Sequence, residues 1–181
     1  MTPLVNHGFP WVSVVGAIPL VGVIGILALP KARELEARAI ALAASIITFA
    51  ASIAMAVDYK VHGTAFQFTQ DYSWIKAFGA HYAVGVDGIA LALILMTTAL
   101  SPICVLASWH DAERGMLPLD DGDVVERGHG PKLFFSLLLA TETLVIGVFG
   151  SLDVFFFYVL FEAMLIPMYF LIGAFGGARR S

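Results

Sequence analysis

The sequence is poor in charged residues, which make up 13% of its 181 positions. Soluble globular domains carry about 25%, and a small domain exposes much of its surface to water. The scarcity of charge therefore excludes an ordinary soluble enzyme, and a hydrophobic content of 59% excludes a disordered chain. A net charge of −4 leaves no basic excess with which to bind nucleic acid. The composition predicts a polytopic membrane protein.

Residues for redox or metal chemistry are also scarce. The single cysteine, Cys104, cannot form a disulfide within the chain and is expected to be a small packed side chain. The five histidines lie in predicted loops without the spacing of metal ligands. The sequence has no phosphate-binding loop, dinucleotide fingerprint or hydrolase motif. We therefore expect that this chain itself binds no cofactor and no metal.

Five long apolar stretches are present instead. Each is long enough to cross a hydrocarbon layer of about 30 Å as a helix, and a helix satisfies its own backbone groups in lipid. We therefore predict an all-α polytopic membrane protein with five transmembrane helices. The predicted spans are residues 11–30, 39–57, 88–109, 133–150 and 154–178.

The connections divide the chain into three predicted parts. Residues 1–109 hold the first three helices, with an outer loop at 58–86. The alternating aromatic residues of that loop fit either a short hairpin or a surface helix. Residues 110–131 are predicted to form an acidic, solvated cytoplasmic loop, since they combine carboxylates with several glycines. Residues 132–181 hold the last two helices.

The short connections predict local geometry. Residues 31–38 form a charged link between the first two spans, and residues 150–153 form a tight turn. This turn makes the fourth and fifth helices an antiparallel hairpin. Asp87 and Asp153 are placed to cap the third and fifth helices.

The basic residues predict the orientation, because cytoplasmic loops carry an excess of Lys and Arg. With the N-terminus outside and the C-terminus inside, eight of the ten basic residues fall on the inner side. The two on the outer side are Lys60 and Lys76. The inner ones are Lys31, Arg33, Arg38, Arg114, Arg127, Lys132, Arg179 and Arg180.

Two glutamates, Glu142 and Glu162, lie inside predicted spans. Each is about 13–15 Å along its helix from the nearest charged end, which places both near the bilayer midplane. A charged side chain at this depth costs about 2.5–3.5 kcal/mol on insertion scales, so an acid there is a candidate for proton relay. The alternative is a neutral carboxyl bonded to neighbouring polar groups, which Thr141 and Thr143 offer to Glu142. No Lys or Arg lies inside a predicted span, so a relay needs its countercharge from elsewhere.

The fifth span has two further features. Pro167 lies five residues after Glu162 and leaves the carbonyl of Ala163 without its helical donor. That change would loosen the helix near the acid, although prolines are also tolerated in membrane helices without a role. Gly173 and Gly177 have the four-residue spacing that is typical of close helix contacts.

The last two spans carry the motifs of a known family. The segment FEAMLIPMYFLIG at 161–173 resembles the fifth helix of the antiporter-like subunit M of NADH-quinone oxidoreductase (respiratory complex I), the bacterial counterpart of mitochondrial chain 4. VGVDGIAL at 84–91 and ETLVIGVFGSLDVFFFY at 142–158 match the same family in the same order.

The resemblance implies proton transport rather than redox chemistry in this chain. It implies that Glu162 is the essential proton-carrying acid, paired in the family with a lysine on a later helix, and that Glu142 is an accessory acid. NADH, flavin, iron-sulfur clusters and quinone would bind elsewhere in the complex. The implied partners are other membrane subunits of complex I, the lipid bilayer of the bacterial plasma membrane and protons.

Members of that family have many more helices than five, so the sequence is expected to be an N-terminal portion or a truncated product. Two other functions stay open. The D-type component of a multisubunit sodium/proton antiporter, or a membrane-bound hydrogenase subunit, shares the FE-x-x-x-x-P pattern. A structural membrane fragment whose acids stay neutral would transport nothing.

Overall fold

The computed structural model describes residues 9–30, 33–63, 65–75, 79–109 and 130–175. These parts of the chain form five α-helices and a two-stranded antiparallel sheet. In chain order the elements are α1 (Trp11–Ala28), α2 (Glu34–Asp58), β1 (Gln67–Ile75), β2 (Ala80–Val86), α3 (Gly88–Ala107), α4 (Pro131–Gly150) and α5 (Val154–Phe175).

All five helices are long and apolar enough to cross a membrane, so the predicted number of spans is confirmed for the described residues. The prediction for residues 31–38 is wrong from Glu34 onward, because α2 begins there rather than at residue 39. Glu34 and Glu36 lie in the first turn, where carboxylates interact favourably with the positive end of the helix dipole. Arg38 is consequently a buried helix residue, 4% exposed, rather than part of a loop.

Helix α4 occupies the centre of the bundle. It packs against α1, α2, α3 and α5, whereas α5 packs against α4 and β2. Buried apolar residues form two clusters, one towards each end of the bundle. One cluster includes Val15, Met55, Ile94 and Ile146, and the other includes Ile26, Val105, Phe135 and Leu139.

The loop at 58–86 contains a β-hairpin, which decides between the two structures that the sequence allowed. β1 and β2 pair antiparallel, with Tyr72 opposite Tyr82. Aromatic side chains favour such pleated pairs. Gly79, next to the start of β2, has φ +61°, a conformation that glycine adopts without strain.

The hairpin ties together the ends of several helices. The side chains of Ser13 on α1 and Tyr82 on β2 are hydrogen-bonded, with 2.7 Å between their oxygens. The backbone N–H of Leu152, in the turn between α4 and α5, donates to the carbonyl oxygen of Ala83 at 2.8 Å. The hairpin therefore fixes the position of the turn from which α4 and α5 extend.

Both predicted helix caps are present. The backbone N–H of Ala90 donates to Asp87 Oδ1 at 2.7 Å, and that of Phe156 donates to Asp153 Oδ1 at 2.8 Å. The predicted antiparallel pairing of α4 and α5 is also formed. The acidic loop predicted at 110–131 lies outside the described residues, apart from its last two positions.

Candidate functional site

Glu142 lies in the middle of the central helix α4, and the residue is 4% exposed. Leu139 and Ile146, about one turn away on either side, are 1% and 0% exposed. Both carboxyl oxygens of Glu142 are buried, and neither has a hydrogen-bond partner among the described residues. An ionised carboxylate in such a place costs several kcal/mol unless a polar group reaches it.

The threonines next to Glu142 do not supply that polar group. The Thr141 hydroxyl donates to the carbonyl oxygen of Leu137 at 2.8 Å, within its own helix. Thr143 Oγ1 is buried and has no hydrogen-bond partner among the described residues. The two threonines that the sequence suggested as hydrogen-bond partners of Glu142 are therefore not bonded to it in the structure.

A polar neighbour comes from another helix. Ser101 on α3 lies beside the carboxyl group of Glu142. Its hydroxyl donates to the carbonyl oxygen of Thr97 at 3.2 Å. Because a hydroxyl carries one proton, this bond leaves none for Glu142 at the same time. Sequence reasoning missed Ser101, since no local spacing relates position 101 to position 142.

A hydroxyl pair fixes α3 against α2 one turn from Ser101. Ser52 Oγ on α2 and Thr98 Oγ1 on α3 are 2.7 Å apart, and both residues are 0% exposed. Thr98 also donates to the carbonyl oxygen of Ile94 at 2.9 Å in an alternative pairing. Interhelical hydroxyl bonds of this kind hold membrane helices in register.

Glu162 has a different environment, because it is exposed on α5. The Tyr158 hydroxyl, one turn earlier on the same face, interacts with the Glu162 carboxylate. Pro167 is buried, and α5 continues through it to Phe175. The exposed face of α5 is otherwise apolar and includes Phe161, Leu165, Ile166 and Tyr169.

The two acids lie equally far along their helices from the turn that joins α4 and α5, but in different surroundings. Glu142 is eight residues before the end of α4 at Gly150, and Glu162 is eight residues after the start of α5 at Val154. Eight residues correspond to about 12 Å of helix in each case. The carboxyl of Glu142 is enclosed by the bundle, whereas that of Glu162 lies at its surface, so the described fold does not join them into one site.

Charge inside the described part of the bundle is limited. Arg38 and Glu142 are the charged residues classed as buried there, and Arg38 lies close to the start of α2. Helices α1 and α3 contain no Asp, Glu, Lys, Arg or His. Within the described ranges, no three His, Cys, Asp or Glu residues are grouped so that they could hold a metal ion.

These features define the class of the protein: a multi-pass helical membrane protein with carboxyl groups inside its spans. No family model matches the sequence. Over 97% of its length the chain is 43% identical to NADH-quinone oxidoreductase subunit M of Mycobacterium tuberculosis, of which it covers 34%. It is 34% identical over 90% of its length to NADH-ubiquinone oxidoreductase chain 4 of Chondrus crispus, of which it covers 30%.

A third relative is subunit M of Rickettsia prowazekii, to which the chain is 31% identical over 94% of its length, covering 32% of that protein. The chain is therefore homologous to the subunit M and chain 4 proteins, as its motifs predicted. It spans about a third of the length of these curated relatives.

Proposed function

We propose that this chain is part of a proton-translocating membrane subunit of NADH:quinone oxidoreductase. The observation that carries the proposal is a pair of glutamates at equal depth in adjacent antiparallel membrane helices, in a chain homologous to subunit M. The chain would bind no cofactor itself. NADH, flavin, iron-sulfur clusters and quinone would be held by other parts of the complex, whose membrane subunits are its partners in a bacterial plasma membrane.

We assign Glu162 the role of proton-carrying acid and Glu142 an accessory role. Glu162 is exposed on α5, where a further part of a longer subunit could reach its carboxylate. Glu142 is enclosed by the bundle, and in this proposal it exchanges a proton with groups of the neighbouring helices. In this proposal, α4 and α5 begin the part of the subunit that carries protons.

The proposal is tested by replacing Glu162 with Gln in the complete complex. We expect Glu162→Gln to abolish proton pumping while the complex still assembles and oxidises NADH, because Gln keeps the shape of the side chain but cannot release a proton. Pumping is measured in vesicles as acidification per NADH oxidised. Pumping at the wild-type ratio in this variant would refute the role of Glu162.

Glu36→Gln is the matched control. Glu36 is also a helix glutamate, but it lies in the first turn of α2, half-exposed and paired with Arg33 at 3.1 Å. This variant removes a carboxylate outside the middle of the bundle and should pump as the wild type does. The relatives named above are all subunits of quinone oxidoreductases, which favours this function over that of a sodium/proton antiporter component.

A further inference from the structure

We propose that Ser101 is a positioning residue for Glu142, whose hydroxyl turns from the Thr97 carbonyl to the Glu142 carboxylate when this acid loses its proton. The inference rests on the proposed function, in that it gives Glu142 a means of exchanging a proton inside the bundle. Ser101 lies on α3, outside the two helices that carry the acids.

The Glu142 carboxyl is buried without a hydrogen-bond donor in the described part of the chain. The side chain is more than nine-tenths buried, and its two oxygens have no hydrogen-bond partner among the described residues. Such a group is tolerable while it is neutral, but its ionised form needs a donor. The Thr141 hydroxyl is held within its own helix at 2.8 Å, a shorter bond than the 3.2 Å bond that Ser101 makes to the Thr97 carbonyl.

The Ser101 hydroxyl is only weakly held by its present hydrogen bond. It lies beside the carboxyl, and its bond to the Thr97 carbonyl is 3.2 Å long, which is longer than the ordinary range for O–H donors. Rotation about one side-chain bond redirects the proton. A bond from a hydroxyl to a charged carboxylate is shorter and stronger than one to a neutral carbonyl, so ionisation of Glu142 favours the rotated state.

Helix α3 is held in place against α2. The hydrogen bond between Ser52 and Thr98, one turn from Ser101, is fully buried and joins α3 to α2. It keeps Ser101 at its place beside α4 while the hydroxyl turns. The tilt of the side chains also brings Glu142 towards Ser101, since side chains lean towards the N-terminus of their helix. Glu142 thereby leans towards the end of the bundle near which Ser101 lies.

No charged group of the described helices competes for this role. α1 and α3 contain none. On the other elements packed against α4, charged or titratable groups lie near a helix end, in the hairpin or on the exposed face of α5. They are Glu34, Glu36, Arg38, Asp58, His81, Tyr82, Tyr158, Glu162 and Tyr169.

The test measures the ionisation of Glu142 directly. Infrared spectra of the complex in lipid are recorded at a pH at which both carboxyl forms are present, and the bands of Glu142 are those lost in Glu142→Gln. In Ser101→Ala we expect the ratio of ionised to protonated Glu142 to fall about tenfold, because one hydrogen bond to a charged group is lost. Ser101→Thr keeps a hydroxyl and should restore most of the ratio.

Thr141→Ala is the matched control, since it removes a hydroxyl adjacent to Glu142 in sequence but bonded within its own helix. It should leave the ratio unchanged. An unchanged ratio in Ser101→Ala, or an equal fall in Thr141→Ala, overturns the inference. If Ser101→Ala fails to fold, Ser101→Cys, a similar side chain with a weak donor, provides the same comparison.

The outcome for Ser101 is independent of the outcome for pumping. If Glu142→Gln and Glu162→Gln pump normally while Ser101→Ala still lowers the ionised fraction, the proposed function fails and the role of Ser101 stands. If pumping depends on Glu162 but the ratio in Ser101→Ala equals that of the wild type, the proposed function stands and the role of Ser101 is refuted.

Discussion

The same residue type, at the same distance from one interhelical turn, has two different environments in this protein. Glu142 and Glu162 are each eight residues from the turn that joins their helices. Glu142 is enclosed by the bundle because α4 is surrounded by four helices, and Glu162 is exposed because α5 has neighbours on one side. Position along a helix therefore sets depth, whereas the arrangement of the other helices sets the dielectric environment of each carboxyl.

Whether a glycine lies in a close helix contact also depends on the arrangement of the neighbouring helices. A Cβ on Gly22 would lie 2.7 Å from the Cβ of Ala44 on α2 and 3.0 Å from Leu139 Cδ1 on α4. A Cβ on Gly173 would meet nothing within 4 Å. The spacing of Gly173 and Gly177 predicted a close contact that Gly173 does not make within the described residues, and Gly177 lies outside them.

Gly22→Ala should destabilise the bundle by about 1–3 kcal/mol, because the added methyl forces α1 away from α2 and α4. Gly16→Ala is the control on the same helix, since its Cβ would lie 3.7 Å from Ile146 Cγ2, an ordinary contact distance. The measurement is the free energy of unfolding in detergent micelles. Equal stability of the two variants would show that α1 does not approach α2 at Gly22.

At the scale of elements, the start of α5 depends on one side chain. Asp153 accepts a hydrogen bond from the backbone N–H of Phe156 at 2.8 Å, and its backbone carbonyl accepts from Phe157 at 2.8 Å. The cap satisfies one of the N–H groups that have no partner at a helix start. It thereby fixes where α5 begins, and with it the depth of Glu162.

Asp153→Ala should lower the free energy of unfolding by about 0.5–2 kcal/mol, through loss of the cap. Asp153→Asn keeps an acceptor oxygen at the same place and should retain most of the stability. Unfolding of both variants is followed by circular dichroism in micelles. If the Asn variant loses as much as the Ala variant, the negative charge rather than the hydrogen bond stabilises this end of α5.

Two other elements show what local patterns could not decide. The alternating aromatic residues at 58–86 fit a hairpin as well as a surface helix. The hairpin forms because it packs against α1 and against the turn between α4 and α5. The second helix was predicted to begin at residue 39, because the charged residues Glu34, Glu36 and Arg38 are typical of a solvated loop, but α2 begins at Glu34. In the fold, the carboxylates interact with the helix dipole and Arg38 is buried.

The two ends of the whole molecule differ in charge and in structure. One end carries the hairpin, with the Trp11 indole N–H donating to Asp58 at 3.0 Å. At the other end the Lys132 ammonium group donates to the carbonyl oxygen of Leu29. Among the described basic residues, Arg33, Arg38 and Lys132 belong to this second end and Lys60 to the hairpin end. This distribution predicts that the second end faces the cytoplasm, with the N-terminus and the hairpin outside.

Cysteine labelling tests this orientation. In a Cys104→Ser background, His62→Cys lies at the hairpin end and Glu36→Cys at the opposite end, and both positions are exposed. A thiol reagent that cannot cross membranes should label His62→Cys in intact cells and leave Glu36→Cys unlabelled. A membrane-permeant reagent, which should label both, is the control. The reverse pattern would show that the N-terminus lies inside.

The sequence by itself determined the membrane class, the number of spans in the described residues, the helix caps and the position of both acids along their helices. All of these depend on composition, on local hydrogen bonds and on distance along a single helix. The homology was also readable from contiguous motifs, which need no fold.

Tertiary structure alone decided that Glu142 is enclosed beside Ser101, that Glu162 is exposed, and that the hairpin holds the turn between their helices. In lipid, an apolar surface is not by itself evidence of a buried face, because lipid tails are as apolar as the core. Hydropathy therefore predicts which segments enter the membrane, and only helix packing determines which side of each segment faces another helix.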